Sequence, residues 1–148
     1  MWLDIGANDG TLLSFVPKSF YRIGVDPAAN LTPLLKKHTD KTIQGFFDKV
    51  EISKKAAIIT AIAMFYDLEN PPEFVTDTAR CLHPDGIWVI QMSYLPSMLK
   101  ANAFDNICHE HLLYYSLGSL RDLLERLGLK IFDVELNATD QAMSIEQL

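Results

Sequence analysis

Leu3-Asp4-Ile5-Gly6-Ala7-Asn8-Asp9-Gly10-Thr11-Leu12-Leu13 is the stretch that decides the fold. It starts as an apolar strand, passes through a turn bounded by two glycines, and ends as the start of an apolar helix. A strand–loop–helix nest of this kind holds nucleotide-like ligands in doubly wound α/β sheets. Gly6 lets the backbone approach a ligand with no Cβ in the way, and Gly10 permits close packing where the helix begins. Asn8 tolerates a left-handed backbone where many such loops place a third glycine. Thr11 or Asp9 is the expected N-cap. The alternative is a tight, capped βα turn that binds nothing.

The loop also bears on the ligand. A dinucleotide site reads G-x-G-x-x-G and aims its helix N-terminus at a pyrophosphate. Here the spacing is G-x-x-x-G, and the carboxylates Asp4 and Asp9 flank it. Negative charge there repels a pyrophosphate and suits a ligand with ammonium and sulfonium groups. S-adenosylmethionine is such a ligand. A nicotinamide oxidoreductase is disfavoured on the same ground.

Outward from the loop, strand-like and helix-like runs alternate, which predicts a parallel sheet with helices on its faces. Strands are expected at Met1–Ile5, Tyr21–Val25, Lys41–Gln44, Ala56–Ala61, Ile87–Gln91 and Leu129–Leu136. Helices are expected at Thr11–Phe15, Asn30–Lys37, Pro72–Cys81 and Ser119–Leu127. His83-Pro84-Asp85-Gly86 reads as a turn, and Met143–Leu148 as one more short strand, cut off early. Asp26 ends the second strand roughly twenty positions after the Gly loop, where an acid accepts hydrogen bonds from ribose hydroxyls. An Asp before Pro27 also forms turns. Gly45-Phe46-Phe47 follows the third strand, and its aromatics either enclose an adenine ring or belong to the core. Ala63 and Met64 leave the fourth strand at the same sheet edge and are expected to line the pocket.

The bulk properties fit one domain over residues 1–148. Half the chain is hydrophobic and 22% is charged, an ordinary globular balance. A net charge of -6 argues against nucleic-acid binding. No run is long enough to span a membrane and no cationic leader opens the chain, so a cytoplasmic setting is expected. Cys81 and Cys108 are too few for a disulfide framework. Met1-Trp2 runs straight into the first strand, which fits a minimal domain or a piece of a longer protein.

The long connection from Met92 to Ser116 concentrates titratable groups in Cys108-His109-Glu110-His111-Leu112-Leu113-Tyr114-Tyr115. Long loops in compact domains are usually functional. His109 and His111 would share a face if the segment were a strand, as in an H-x-H metal pair, but spacing offers no third ligand. They also fit structural histidines in a half-buried loop. In a third view, one histidine is a general base oriented by a neighbouring carboxylate.

Taken together, Asp4–Leu13, Gly24-Val25-Asp26-Pro27-Ala28, Met64-Phe65-Tyr66-Asp67-Leu68, Pro84-Asp85-Gly86 and Phe104–Tyr115 resemble the sugar C-methyltransferase family. The resemblance covers nearly the whole chain, and the His-Glu-His block is its more specific part. It implies a class I methyltransferase fold, Rossmann-like, with strand order 3-2-1-4-5-7-6 and an antiparallel last strand. It implies S-adenosylmethionine held by Asp4, Gly6, Asn8, Asp9, Gly10, Thr11, Asp26, Pro27, Phe46, Phe47, Ala63 and Met64. It implies methylation of a carbon beside the keto group of a nucleotide-linked keto-deoxysugar. His111 corresponds to the family's base, and His109 and Glu110 to its supporting residues; no metal is implied. The family's usual Tyr is Cys108 here, so its phenol is missing or supplied by Tyr114 or Tyr115. The family's full seventh strand is expected to be truncated or missing, leaving an exposed sheet edge open to self-association as a homodimer. Methylation of oxygen or nitrogen in another small molecule, or a non-catalytic cofactor-binding fragment, are the alternatives.

Overall fold

Strands covered on both faces must be apolar almost throughout, and the central strands of this chain meet that condition. In β1 (Trp2–Ile5), Leu3 and Ile5 enter the larger of two hydrophobic clusters, while Trp2 packs against the smaller one on the opposite face. β2 (Arg22–Asp26) and β4 (Ala56–Ile62) flank β1 in parallel. The computed structural model describes residues 1–48, 50–136 and 142–147, the last six as backbone only.

The sheet has seven strands in the order β3-β2-β1-β4-β5-β7-β6. β3 (Lys41–Gln44) lies at one edge and β5 (Leu82–Ser93) pairs parallel with β4. β6 (Ile131–Leu136) and β7 (Ala142–Gln147) are joined antiparallel. The chain steps outward from β1 to β3, then returns to the other side of β1 at β4. That reversal opens a crevice at the carboxyl ends of β1 and β4, where open α/β sheets bind ligands.

Among the described residues, five α-helices accompany the strands. α1 (Thr11–Phe15) and α2 (Thr32–Leu35) supply Leu13 and Leu35 to the smaller cluster. α3 (Pro71–Cys81) and α5 (Leu117–Arg126) supply Phe74, Val75, Leu120 and Leu124 to the larger one. Asn70 caps α3, with Pro71 and Pro72 preset in its first turn. Ser116 and Ser119 form a capping box on α5. α4 (Leu95–Ala101) is the remaining one.

Four expectations need correction. α2 is one turn rather than Asn30–Lys37, because the Thr39 hydroxyl takes the Leu35 carbonyl and the chain tightens through Lys37 and His38. His83-Pro84-Asp85-Gly86 is an excursion within β5: Ala56 pairs with Leu82 and Ile58 with Ile87, so the strand resumes on the same neighbour. The connection after β5 holds α4 and a short 3₁₀ turn, Phe104–Asn106, and a Tyr94–Tyr115 bridge closes its base. The seventh strand is short but not missing; β7 pairs with both β5 and β6. β6 therefore has its neighbour, and its outer edge carries Asp133 and Glu135, charges that oppose edge-to-edge pairing. No helix among the described residues is long and apolar enough to cross a membrane.

Phe65 locks the segment after β4 to the core. It is fully buried, with ring centroids 5.9 Å from Phe74, 5.9 Å from Trp88 and 5.4 Å from Tyr115. Phe65→Ala should destabilise the fold by about 3–5 kcal/mol, read from the denaturant midpoint. A change below about 0.5 kcal/mol would show that this ring does not anchor the segment.

Candidate active site

Three residues of the first loop hold positive φ: Gly6 at 72°, Asn8 at 52° and Gly10 at 87°. Such a path turns successive N–H groups inward, and here β2 takes several of them. Gly6 N and Ala7 N both donate to the Val25 carbonyl, and Asn8 N donates to Asp26 Oδ2 at 2.8 Å. A Cβ on Gly6 would stand 3.1 Å from Met64 Cγ, so this position admits close approach only without a side chain. Gly10 is the N-cap residue of α1 and caps with no side chain. Asp9 works one residue earlier than a true cap: its Oδ1 accepts from Thr11 N at 2.9 Å and Thr11 Oγ1 at 2.7 Å. The Thr11 hydroxyl bond, before other causes, holds the Asp9 carboxyl below the usual range.

Asp26 forms the turn its position suggested and, in addition, ties down the Gly loop. Its Oδ1 accepts from Ala28 N at 2.8 Å, forming the turn into Pro27, while Oδ2 fixes the Gly loop. Each oxygen keeps a further lone pair. Asp4 is buried on β1, and Oδ1 accepts a hydrogen bond from Thr60 Oγ1. Burial pushes its carboxyl up to about 6, against the Thr60 hydrogen bond and with help from the Asp26 charge.

These groups border a cleft of about 1130 Å³ at the ends of β1, β2 and β4. Of the twelve residues expected to hold the cofactor, all but Gly10 line it; Gly10 sits behind, against Leu35 and His38. Phe46 and Phe47, adjacent in sequence, lie in different surroundings. Phe46 is 77% exposed over the cleft, whereas Phe47 is buried with its ring 5.4 Å from Phe74. The far wall, which the sequence does not announce, is formed by Asp48, Asp67, Glu69, Asn70, Glu73 and Asp77. Glu73 and Asp77 lie four apart on α3, a spacing that marks one helix face, but alone it looks like a solvated one. Eight carboxylates line the cleft and, among the described residues, no Lys, Arg or His does. That donor set fits a cationic cofactor and not a phosphate-bearing one.

The His-Glu-His block is not brought together. His109 and Glu110 project into solvent, 92% and 75% exposed, with only a 4.0 Å approach between them. His111 turns inward and packs on Tyr66, with ring centroids 4.4 Å apart. Its Nδ1 lies 2.8 Å from the Asn106 carbonyl, which also accepts from the Tyr114 hydroxyl at 3.3 Å. A backbone carbonyl, not a carboxylate, therefore orients this ring. A carbonyl only accepts, so the bond places the proton on Nδ1 and leaves the Nε2 lone pair open. Asp67 is the nearby cleft acid: burial raises its carboxyl, His111 lowers it and Glu110 raises it. His111 itself stands outside the cleft lining, joined to it through Tyr66 and Asp67. Tyr115 is core, its phenol pushed up to about 12 by burial, so of Tyr114 and Tyr115 it is Tyr114 that lies near His111. Cys108 is exposed. Among the described residues, no three His, Cys, Asp or Glu side chains gather as a metal site would require.

The family model described as "Methyltransferase domain" matches residues 1–134. The C-methyltransferase NovU of Streptomyces niveus is 35% identical over 139 residues, covering 89% of this chain and 33% of that protein. The chain thus spans about a third of the length of that curated relative. An S-adenosylmethionine-dependent methyltransferase from Clostridium acetobutylicum superposes with a TM-score of 0.79 at 9% identity, covering 99% of this chain and 82% of that one. Magnesium protoporphyrin IX methyltransferase from Synechocystis PCC 6803, solved with bound SAH, gives 0.72 at 12% identity over 99% and 73%. The solved structures share the fold.

Two outcomes follow from the site. Asp4 titrates near 3.8 when unfolded and near 6 when folded. The folded form binds the proton more tightly, so the cost to stability is absent below about pH 3.8 and complete above about pH 6. Asp4→Asn should raise the unfolding free energy of the free protein at pH 7.5, by up to about 3 kcal/mol from the denaturant midpoint, with the gain vanishing near pH 4. An equal effect at both pH values would contradict the burial cost. Separately, Phe46→Ala should weaken S-adenosylmethionine binding at least about fivefold with stability unchanged. Phe47→Ala should instead cost about 3 kcal/mol of stability. Calorimetry and chemical denaturation of both variants check the division.

Proposed function

The chain belongs to the methyltransferase domain family, with S-adenosylmethionine as its methyl donor, and from that premise we propose that it methylates a carbon beside the keto group of a small molecule, a nucleotide-linked keto-deoxysugar, with His111 as general base. The cleft carries the donor half of this reading, because eight carboxylates and, among the described residues, no Lys, Arg or His form its lining. The acceptor half is supported by the 35% identity to a C-methyltransferase and by the open Nε2 of His111.

Methyl transfer from a sulfonium is an in-line displacement, so the protein must align donor and acceptor and make the acceptor nucleophilic. Bound in the cleft, the donor supplies an electrophilic methyl group. Asp26 takes the ribose hydroxyls, already oriented by Asn8 N and Ala28 N. Phe46 and Met64 border the adenine. Asp4 and the left-handed Gly6–Gly10 backbone seat the cationic methionyl end. His111 Nε2 removes the proton from the substrate carbon, and the Asn106 carbonyl stabilises the imidazolium through Nδ1–H. Tyr114 is the nearby hydroxyl; its single proton goes to the Asn106 carbonyl in the free protein, and it stabilises the enolate oxygen only by turning from that carbonyl to the substrate. His109, exposed as it is, is not placed for that role.

The outward aim of His109 and Glu110 favours a second reading. In it, the chain binds the donor while further acceptor contacts come from outside these residues. Incubation with isotopically labelled S-adenosylmethionine and a nucleotide-linked 4-keto-deoxysugar, followed by mass spectrometry, separates the two. His111→Ala should lower turnover by about a hundred- to ten-thousand-fold and leave donor affinity within about twofold. Wild-type turnover in that variant would remove His111 from the chemistry. Donor binding with no label transferred would favour the second reading.

A further inference from the structure

Trp2, Thr60 and Asp4 form a hydrogen-bonded line across two neighbouring strands. Thr60 on β4 is the register partner of Asp4 on β1, and Trp2 is two residues before Asp4 on the same face. The Trp2 indole Nε1 donates to Thr60 Oγ1 at 3.2 Å, and Thr60 Oγ1 donates to Asp4 Oδ1 at 2.5 Å. The direction of this chain is forced. An indole N–H only donates, so Thr60 Oγ1 must accept from it. The single hydroxyl proton is then committed to Asp4, and Oδ1 must accept. Trp2 is in turn held edge-on by Phe20, with ring centroids 5.8 Å apart. Asp4 Oδ2 receives no hydrogen bond among the described residues, and Asp4 lines the cleft.

We propose that Thr60 and Trp2 are positioning residues for the donor site: they fix Asp4 as an oriented acceptor whose second oxygen serves the cationic methionyl end. The proposal rests on the donor reading given above. Its physical content is a balance. Burial of Asp4 and the field of Asp26 on β2 both favour a protonated, neutral Asp4. Thr60 is the group that opposes them, since a hydroxyl committed to Oδ1 stabilises the anion. The Thr60 bond therefore extends to lower pH the range in which the donor meets a charge in place of a neutral acid. Trp2 acts one step further out, by denying Thr60 any other rotamer for its proton.

The test is calorimetric binding of S-adenosylmethionine between pH 5 and 8.5, in the wild type and in Thr60→Val, Thr60→Ser and Trp2→Phe. In the wild type, affinity should fall as pH drops through the Asp4 titration, by roughly tenfold per unit at its steepest. In Thr60→Val the falling limb should move to higher pH, so that affinity drops about tenfold near pH 6.5 and recovers to within about twofold at pH 8.5. Trp2→Phe should move it the same way by less, and Thr60→Ser should restore the wild-type profile. A purely structural role predicts an equal loss at every pH, and that result, or an unmoved profile, overturns the proposal. Carbon-13 titration of the Asp4 carboxyl in the unliganded protein reads the same lock without a ligand. An Asp4 midpoint identical in wild type and Thr60→Val overturns the lock alone, whereas a wild type that binds no donor overturns the donor reading on which it depends.

Discussion

The Asp26 carboxylate ties together the two loops that make the cleft. One oxygen holds Asn8 N and the other holds Ala28 N, each at 2.8 Å. Without that clamp the Gly6–Gly10 path, with three residues at positive φ, would have only the Val25 carbonyl and its own turn bonds to define it. The clamp works because β1 and β2 are neighbours in the sheet. β1 and β2 run parallel in register, so their ends release two loops side by side at one edge of the sheet. Asp26 closes β2 at that edge and reaches both.

The cleft that results is costly for the free protein. Carboxylates crowd one space, and the most buried of them, Asp4, is pushed up to about 6 by its surroundings. Sites that stay unfavourable until occupied trade stability for function, a common pattern in binding pockets. A cationic ligand relieves the crowding, which is why the acid lining and the Thr60 bond to Asp4 belong to one explanation. The structural part of the molecule lies elsewhere, in the aromatic group of Phe65, Phe74, Trp88 and Tyr115 beneath the segment that carries Met64, Tyr66 and Asp67. That group contains no charge, and it fixes the segment from which one cleft wall and the His111 stacking partner both arise.

Local pattern was enough wherever one period and one partner decide the outcome. Thr11–Phe15 and Lys41–Gln44 form with the bounds their apolar spacing suggested, and the loop between β1 and α1 takes the left-handed path that its glycines and Asn8 permit. Pattern fell short where side chains compete for backbone. Thr39 ends α2 early by taking the Leu35 carbonyl, and no hydrophobic period announces that. It fell short again in the Cys108–Tyr115 segment, which has no period at all. There His109 and His111 are two residues apart yet one faces solvent and the other stacks on Tyr66. Only the position of Tyr66, set by a different part of the chain, decides which imidazole turns inward. The far wall of the cleft was hidden for a similar reason, since an acidic face on α3 looks like ordinary solvation until β1 and β4 are placed beside it.

The central claim is that this cleft is built for a cationic donor and against a phosphate-bearing one. Paired calorimetric titrations of the protein with S-adenosylmethionine and with NAD at pH 7.5 test it most directly. One site filled by S-adenosylmethionine, with no heat from NAD at millimolar concentration, is the result predicted. Binding of NAD with equal or greater affinity, or no binding of S-adenosylmethionine at the same concentration, would contradict it.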